Sequence, residues 1–182
     1  MNYKTHITPF SKNFIKIKIT KDNYVKASNF VKKLIEAKNN EPHHKIDNDS
    51  QYKRFLTGTL GELALEQMFG INGIVDWEIG SSFKYHKPDL KSIGLKVGVK
   101  TVNYGLFPII FNKSYCPEII NIMYKEYIYV CGLATVDVLN KYQSTGLIKN
   151  SKLKARNTKT GFYGFEKLKT FNNLDELKSL IM

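Results

Sequence analysis

The first third of the chain carries one short strand pattern followed by two helical patterns. Residues 14–19 alternate between apolar and polar side chains, which predicts a short amphipathic strand. Residues 22–37 then carry apolar side chains at the three- and four-residue spacing of one helix face. A second helix is predicted over residues 50–69, and Gly70 directly after it suits the position that ends many helices.

The middle of the chain is a series of strand-like segments. These are short apolar runs bounded by turn residues, and they cover residues 74–79, 88–90, 95–102, 107–111 and 127–134. Helical turns are predicted around residues 117–124, and a closing helix over residues 174–181. Because helices precede the strands and another helix follows them, we expect an α/β (α+β) fold with a mixed central sheet flanked by helices.

Length and composition favour one globular domain. The chain has 182 residues, of which 42% are hydrophobic and 24% charged, as in ordinary soluble proteins. No run approaches the roughly 20 apolar residues that span a bilayer, and the N-terminus lacks the apolar stretch of a signal peptide. We therefore expect a cytoplasmic protein without a membrane partner. The two cysteines, Cys116 and Cys131, have no zinc-site spacing and are not expected to form a disulfide.

The charge balance is the first indication of a partner. The chain has 28 Lys and Arg against 16 Asp and Glu, a net charge of +12, which attracts polyanions such as DNA. Seven of these 28 cations lie in a basic tail, residues 149–169, where aromatic residues are interleaved. The predicted nucleic-acid contacts in this tail are Lys152, Lys154, Arg156 and Lys159. The alternative is a solvated basic loop whose aromatic residues face the core.

The predicted strand at residues 95–102 sets one lysine apart from the others. Side chains alternate between the two faces of a strand, so the strand's two inner valines point to the core while Gly98 and Lys100 share the opposite face. Asp89, preceded by Pro88, stands nine residues before Gly98. The combination of this acidic residue with the lysine makes the strand a candidate for chemistry.

These residues resemble the signature of the PD-(D/E)XK nuclease superfamily. Its Pro-Asp, its short connection and its Glu-x-Lys are similar to Pro88-Asp89, residues 91–94 and Gly98-Val99-Lys100. Upstream, residues 61–64 (Gly-Glu-Leu-Ala) resemble a helical Gly-Glu-x-Ala element that many members carry. The resemblance covers roughly residues 50–135. It implies a restriction-endonuclease-like fold and a nuclease that acts on DNA with Mg²⁺, for which Mn²⁺ can substitute.

The chemistry of phosphodiester hydrolysis explains why these residue types are needed. A metal ion polarises the phosphoryl oxygen and makes hydroxide available near neutral pH, and carboxylates suit Mg²⁺. The resemblance implies that Asp89 is the primary metal ligand and the Val99 carbonyl a second one. It also implies that Lys100 holds the attacking water and offsets developing charge. The superfamily's Glu is Gly98 here, so one ligand is missing from its usual place.

Two interpretations of Gly98 remain open. Either the carboxylate has moved to Glu62 on the preceding helix, which would make Glu62 a metal ligand, or the site is inactive. Glu62 lies seven residues from both Phe55 and Phe69, an angular offset of about 20°. It therefore sits at the margin of the apolar face, where a carboxylate is costly unless it is paired or bound to a cation. Glu66, one turn further on, is a weaker candidate.

Three hypotheses about function follow. The leading one is a Mg²⁺-dependent DNA endonuclease, restriction-like or phage-type, with Glu62, Asp89 and Lys100 as catalytic residues. The second is a catalytically silent relative that binds DNA or a protein partner, and the third is a structural or inhibitory protein whose motif is coincidental. A homodimer would suit a double-strand cutter. The expected layout is one domain over residues 1–182, with an N-terminal extension (1–48), the motif region (50–135) and a basic aromatic tail with a terminal helix (149–182).

Overall fold

Helices cover a central sheet, and a smaller sheet lies beside it. The chain is described here by a computed structural model covering residues 2–38, 48–79, 87–155 and 157–181. Its α-helices are α1 (Tyr3–His6), α2 (Lys21–Lys38), α3 (Asn48–Phe69), α4 (Val136–Lys141), α5 (Ser151–Ala155) and α6 (Leu174–Ser179). Its strands are β1 (Ile15–Lys18), β2 (Gly98–Asn103), β3 (Ile109–Phe111), β4 (Glu118–Tyr124), β5 (Tyr127–Ala134), β6 (Gln143–Ser144) and β7 (Lys159–Phe162).

The central sheet is mixed, as the order of the sequence patterns predicts. Its strand order is β1-β5-β4-β2. β5 pairs antiparallel with both of its neighbours, whereas β2 and β4 run parallel. The smaller sheet, β3-β7-β6, is antiparallel. The prediction of a mixed sheet flanked by helices is therefore confirmed, and the restriction-endonuclease-like arrangement of these elements stays a prediction.

Both faces of the central sheet are buried, which explains why its inner strands lack a simple alternation of apolar and polar residues. On one face, the sheet packs against α2 and α3 in a cluster that contains Val97, Val99 and Ile119. On the other face, a second cluster contains Ile120, Ile122 and Cys131 and extends to the C-terminal segments. Both cysteines are free and buried. None of the described helices is long and apolar enough to cross a membrane.

Helix α3 lies very close to strand β2. A Cβ atom added to Gly61 would lie 1.8 Å from Thr101 Oγ1, so only glycine permits this approach. Four residues earlier on the same helix, the Thr57 hydroxyl accepts a hydrogen bond from the Asn103 side-chain amide at 3.4 Å. These contacts fix the height of α3 on β2, and with it the position of Glu62.

Three predicted segments differ from the structure. Residues 74–79 form no strand, because the Glu66 carboxylate accepts the backbone N–H groups of Gly73, Ile74 and Val75. Residues 88–90 are not a strand either, since a short 3-10 helix covers Asp89–Ile93. Residues 117–124, predicted as helical turns, form strand β4 instead.

Candidate active site

A tight turn places Asp89 beside the start of β2. The 3-10 helix Asp89–Ile93 folds back on the chain, and the Leu90 N–H donates to the Val97 carbonyl at 3.0 Å. Asp89 is thereby held next to β2, where its Oδ2 accepts the Val99 N–H at 2.5 Å. The Asp89 carboxylate is therefore fixed by the backbone of the same strand that carries Lys100.

Glu118 is a site residue that the sequence analysis missed. It opens β4 and lies directly opposite Gly98 in the parallel pairing of β2 and β4. A Cβ atom added to Gly98 would lie 3.4 Å from Glu118 Cγ, 3.8 Å from Glu118 Oε1 and 3.6 Å from Asp89 Oδ2. A longer side chain at residue 98 would therefore enter the space that Glu118 occupies beside Asp89.

The Glu118 carboxylate is buried without full compensation. The residue is 5% exposed, and no described residue donates a hydrogen bond to its Oε2. Burial raises the pKa of the Glu118 carboxyl, Lys100 opposes that rise, and the charge of Asp89 adds to it. The pKa of Asp89 is likewise raised by burial, against the Val99 N–H and Lys100. Two neighbouring carboxylates that are costly to ionise favour a bound cation between them.

Two lysines face these carboxylates. Lys100 on β2 is partly buried, and its positive charge counters the upward pKa shifts of both Asp89 and Glu118. Lys159 comes from the smaller sheet, where it pairs with Phe111 across β3 and β7. Its Nζ lies 3.0 Å from the centroid of the Phe111 ring. The basic tail therefore contributes one lysine to the site itself.

The pKa of Lys159 reflects its crowded position. Burial lowers that pKa to about 8, and the nearby positive charge of Lys100 lowers it further, whereas Glu118 acts in the opposite direction. Two lysines that are held near each other are suited to share a negatively charged ligand.

Glu62 is a third carboxylate near Asp89. Glu62 and Asp89 both line a cavity of about 930 Å³ between α3 and the turn at residues 87–92. Burial raises the pKa of the Glu62 carboxyl well above its ordinary value, and the charges of Asp89 and then Glu66 add to that rise. Glu62 is therefore close enough to Asp89 to interact with it.

Glu66 has a structural role rather than that of a ligand. It is 7% exposed, and its Oε1 accepts backbone hydrogen bonds from Gly73, Ile74 and Val75 at 2.8, 2.8 and 3.1 Å. This carboxylate has the donors that Glu118 Oε2 lacks. It anchors the loop that follows α3.

The other predicted DNA contacts are spread over the tail. Lys154 is exposed on α5, whereas Lys159 belongs to the site. Arg156 lies outside the described residues, as does the side chain of Lys152. Across the described residues, no group of three or more His, Cys, Asp and Glu side chains is arranged to hold a metal ion.

The sequence did contain a signal for Glu118. The segment after it is rich in β-branched isoleucines, which favour a strand. Only two residues, Lys125 and Glu126, separate it from the next strand-like run, a spacing typical of a hairpin. A strand starting at Glu118 would have placed a carboxylate at the end of a buried strand.

The chain was also compared with known proteins. Models of protein families, curated proteins and solved structures gave no match. The resemblance to the nuclease superfamily therefore depends on the motif residues alone.

Proposed function

We propose that the protein is a Mg²⁺-dependent endonuclease that hydrolyses phosphodiester bonds in DNA. The observation that carries the proposal is the convergence of Asp89, Glu118 and Lys100 around Gly98. The glycine that departs from the superfamily pattern faces a glutamate on the adjacent strand. Glu118 thus supplies from β4 the carboxylate that the pattern places at residue 98.

The donor set suits a hard divalent cation. Asp89 and Glu118 would hold Mg²⁺, together with the Val99 carbonyl that the superfamily resemblance implies. The unpartnered Oε2 of Glu118 and the raised pKa values of both carboxyls support this fit. When bound, the ion would polarise a phosphoryl oxygen and lower the pKa of a water molecule.

The lysines supply the positive charge that the reaction needs. Lys100 would orient the attacking water and stabilise the negative charge that develops on the phosphate. Lys159 lies near Lys100 and Glu118 and would add a second positive charge toward the same phosphate. Glu62 interacts with Asp89 and adds negative charge that favours a cation there.

Cleavage of supercoiled plasmid with Mg²⁺ or Mn²⁺ tests the proposal. We expect Asp89→Asn, Lys100→Met and Glu118→Ala each to lower the nicking rate by about a hundredfold or more. The decisive variant moves the carboxylate from residue 118 to residue 98. The double substitution Gly98→Glu with Glu118→Ala restores a carboxylate in the same space and should recover the nicking activity that Glu118→Ala loses. Gly98→Glu alone should impair cleavage, because its side chain competes with Glu118.

A thermal shift measurement separates metal binding from catalysis. Mn²⁺ or Ca²⁺ should raise the melting temperature of the wild type, since a ligand that binds only the folded state stabilises it. Glu118→Gln should abolish this rise, whereas Glu126→Gln, an exposed glutamate on the hairpin turn, should retain it. DNA binding without nicking under any metal condition would favour the catalytically silent alternative, and normal cleavage by Glu118→Ala would refute the assignment.

A further inference from the structure

The cavity beside Asp89 is larger than hydrolysis of a phosphodiester bond requires. It measures about 930 Å³ and lies between α2, α3 and the segments at residues 73–78 and 87–92. This size is at the upper end of the range for small-molecule sites, about 300–1,000 Å³. Because Asp89 and Glu62 belong to its wall, anything bound in it would sit next to the proposed site of cleavage.

Three aromatic side chains contribute to the wall of the cavity. Phe30, Phe55 and Trp77 all line the cavity. The rings of Phe30 and Trp77 meet edge to face, with centroids 5.2 Å apart and an interplanar angle of 81°. Lys26 Nζ lies over one face of the Trp77 ring, 4.2 Å from its centroid. A ring face that is left open suits a nucleobase, which stacks on it with little dependence on base identity.

Charged side chains of both signs line the cavity, with the carboxylates of Asp76 and Glu78 together with the ammonium groups of two lysines. Lys87 and Lys91 are exposed, line the cavity and flank Asp89 in the chain. Lysines at this position can contact the phosphates on either side of the cleaved one. The cavity therefore combines aromatic rings for a base with lysines for its phosphates, among carboxylates that a bound divalent cation would offset.

From this arrangement we propose that the cavity binds an unpaired nucleotide of the DNA strand that is cleaved at Asp89. A base inside a duplex is covered by its neighbours and its partner, so it can reach these rings only after leaving the stack. The proposal rests on the proposed nuclease function and makes it more specific. The substrate class is single-stranded DNA, or a duplex with an unpaired segment at the cleavage point.

Trp77 gives a direct test, because it is the only tryptophan of the chain. The fluorescence of the intact protein is titrated with a short thymidine oligonucleotide and with a duplex of equal length, in Ca²⁺ to prevent turnover. Fluorescence anisotropy of labelled DNA measures the affinity in parallel. We expect the single strand to quench or shift the Trp77 emission at saturation and the blunt duplex to leave it unchanged.

Two variants make the test specific. Phe55→Leu keeps an apolar side chain in the wall but removes a stacking ring, and it should weaken single-strand binding about tenfold. Tyr24→Leu removes an exposed ring from the same helix as Phe30, outside this cavity, and should leave the affinity unchanged. Circular dichroism and melting curves establish that both variants fold.

The outcomes distinguish the cavity proposal from the nuclease proposal. Unchanged Trp77 emission in a fully bound single-strand complex, or wild-type affinity of Phe55→Leu, overturns the cavity proposal even if the protein cleaves DNA. Quenching by the blunt duplex equal to that by the single strand overturns the choice of an unpaired nucleotide. If the single strand quenches Trp77 but no cleavage occurs with Mg²⁺ or Mn²⁺, the cavity binds a nucleotide and the proposed nuclease function is refuted.

Discussion

At the scale of single residues, two buried glutamates show how the surroundings decide what a carboxylate does. Glu66 and Glu118 are 7% and 5% exposed. Glu66 receives three backbone hydrogen bonds through one oxygen, so its charge is satisfied within the protein. Glu118 has one oxygen with no donor among the described residues. A buried carboxylate without donors is costly to keep ionised, and a bound cation would remove that cost.

The pKa of Lys159 is lowered, whereas that of Glu118 is raised. The effect of the Lys159 shift on stability can be measured. The Lys159 pKa is lowered from 10.5 to about 8 by burial, with a further contribution from Lys100. At a pH between about 8 and 10.5, Lys159 is protonated in the unfolded chain and largely deprotonated in the folded one. The unfolded chain then binds more protons, so the free energy of unfolding rises with pH. We therefore expect the wild type to gain stability relative to Lys159→Met as the pH is raised from about 7 to about 9.5.

Denaturant unfolding of the two proteins across this pH range measures the effect. Lys154→Met is the matched control, because Lys154 is an exposed lysine of the same basic tail. The difference in stability between that variant and the wild type should stay constant with pH. A constant difference for Lys159→Met as well would show that Lys159 titrates normally and is not crowded by Lys100.

At the scale of elements, the contact between α3 and β2 controls the position of Glu62 relative to the strand that carries Lys100. An alanine Cβ at Gly61 would lie 1.8 Å from Thr101 Oγ1, so the helix has to move away from the sheet. We expect Gly61→Ala to lower the free energy of unfolding by about 2 kcal/mol or more. Cleavage should fall as well, because Glu62 moves with the helix.

The same helix provides the control for this prediction. Gly58 has no atom within 4 Å of the position of an added Cβ. Gly58→Ala should therefore raise the stability by about 0.5–1 kcal/mol, since alanine has the higher helix propensity. Chemical denaturation distinguishes the two variants, and similar effects of both would mean that α3 does not approach β2 this closely.

The sequence predicts the long elements well because their patterns are local. The helices α2 and α3 and the strand β5 fall close to their predicted ranges, and Lys100 lies in its predicted strand, whereas Asp89 opens a 3-10 helix instead of lying in a strand. Strand β4 was predicted as helical turns, because burial on both faces removes the alternation of apolar and polar residues that marks a strand. Glu118 was missed for this reason: its place beside Gly98 comes from parallel pairing between distant segments.

At the scale of the whole molecule, the net charge of +12 contrasts with the acidic residues at the site. The carboxylates of Glu62, Asp89 and Glu118 lie close to one another or to Lys100. Exposed lysines, among them Lys91 and Lys154, supply positive charge outside this centre. An acidic centre within a basic surface suits a protein that attracts a polyanion and holds a metal ion where the polyanion is cut.

This charge distribution predicts a steep dependence of DNA affinity on salt. Each phosphate neutralised by a lysine contributes about −0.9 to the slope of log K against log salt for duplex DNA, and about −0.7 for single strands. Affinities of the catalytically inactive Asp89→Asn protein, measured by anisotropy across a salt series, give that slope. In the Asp89→Asn protein, Lys91→Gln should reduce the magnitude of this slope by the contribution of one phosphate contact, about 0.7–0.9. Lys18→Gln removes the same charge from a lysine that pairs with Glu126, and should change the slope less. An affinity independent of salt, or equal effects of the two substitutions, would argue against phosphate contacts beside Asp89.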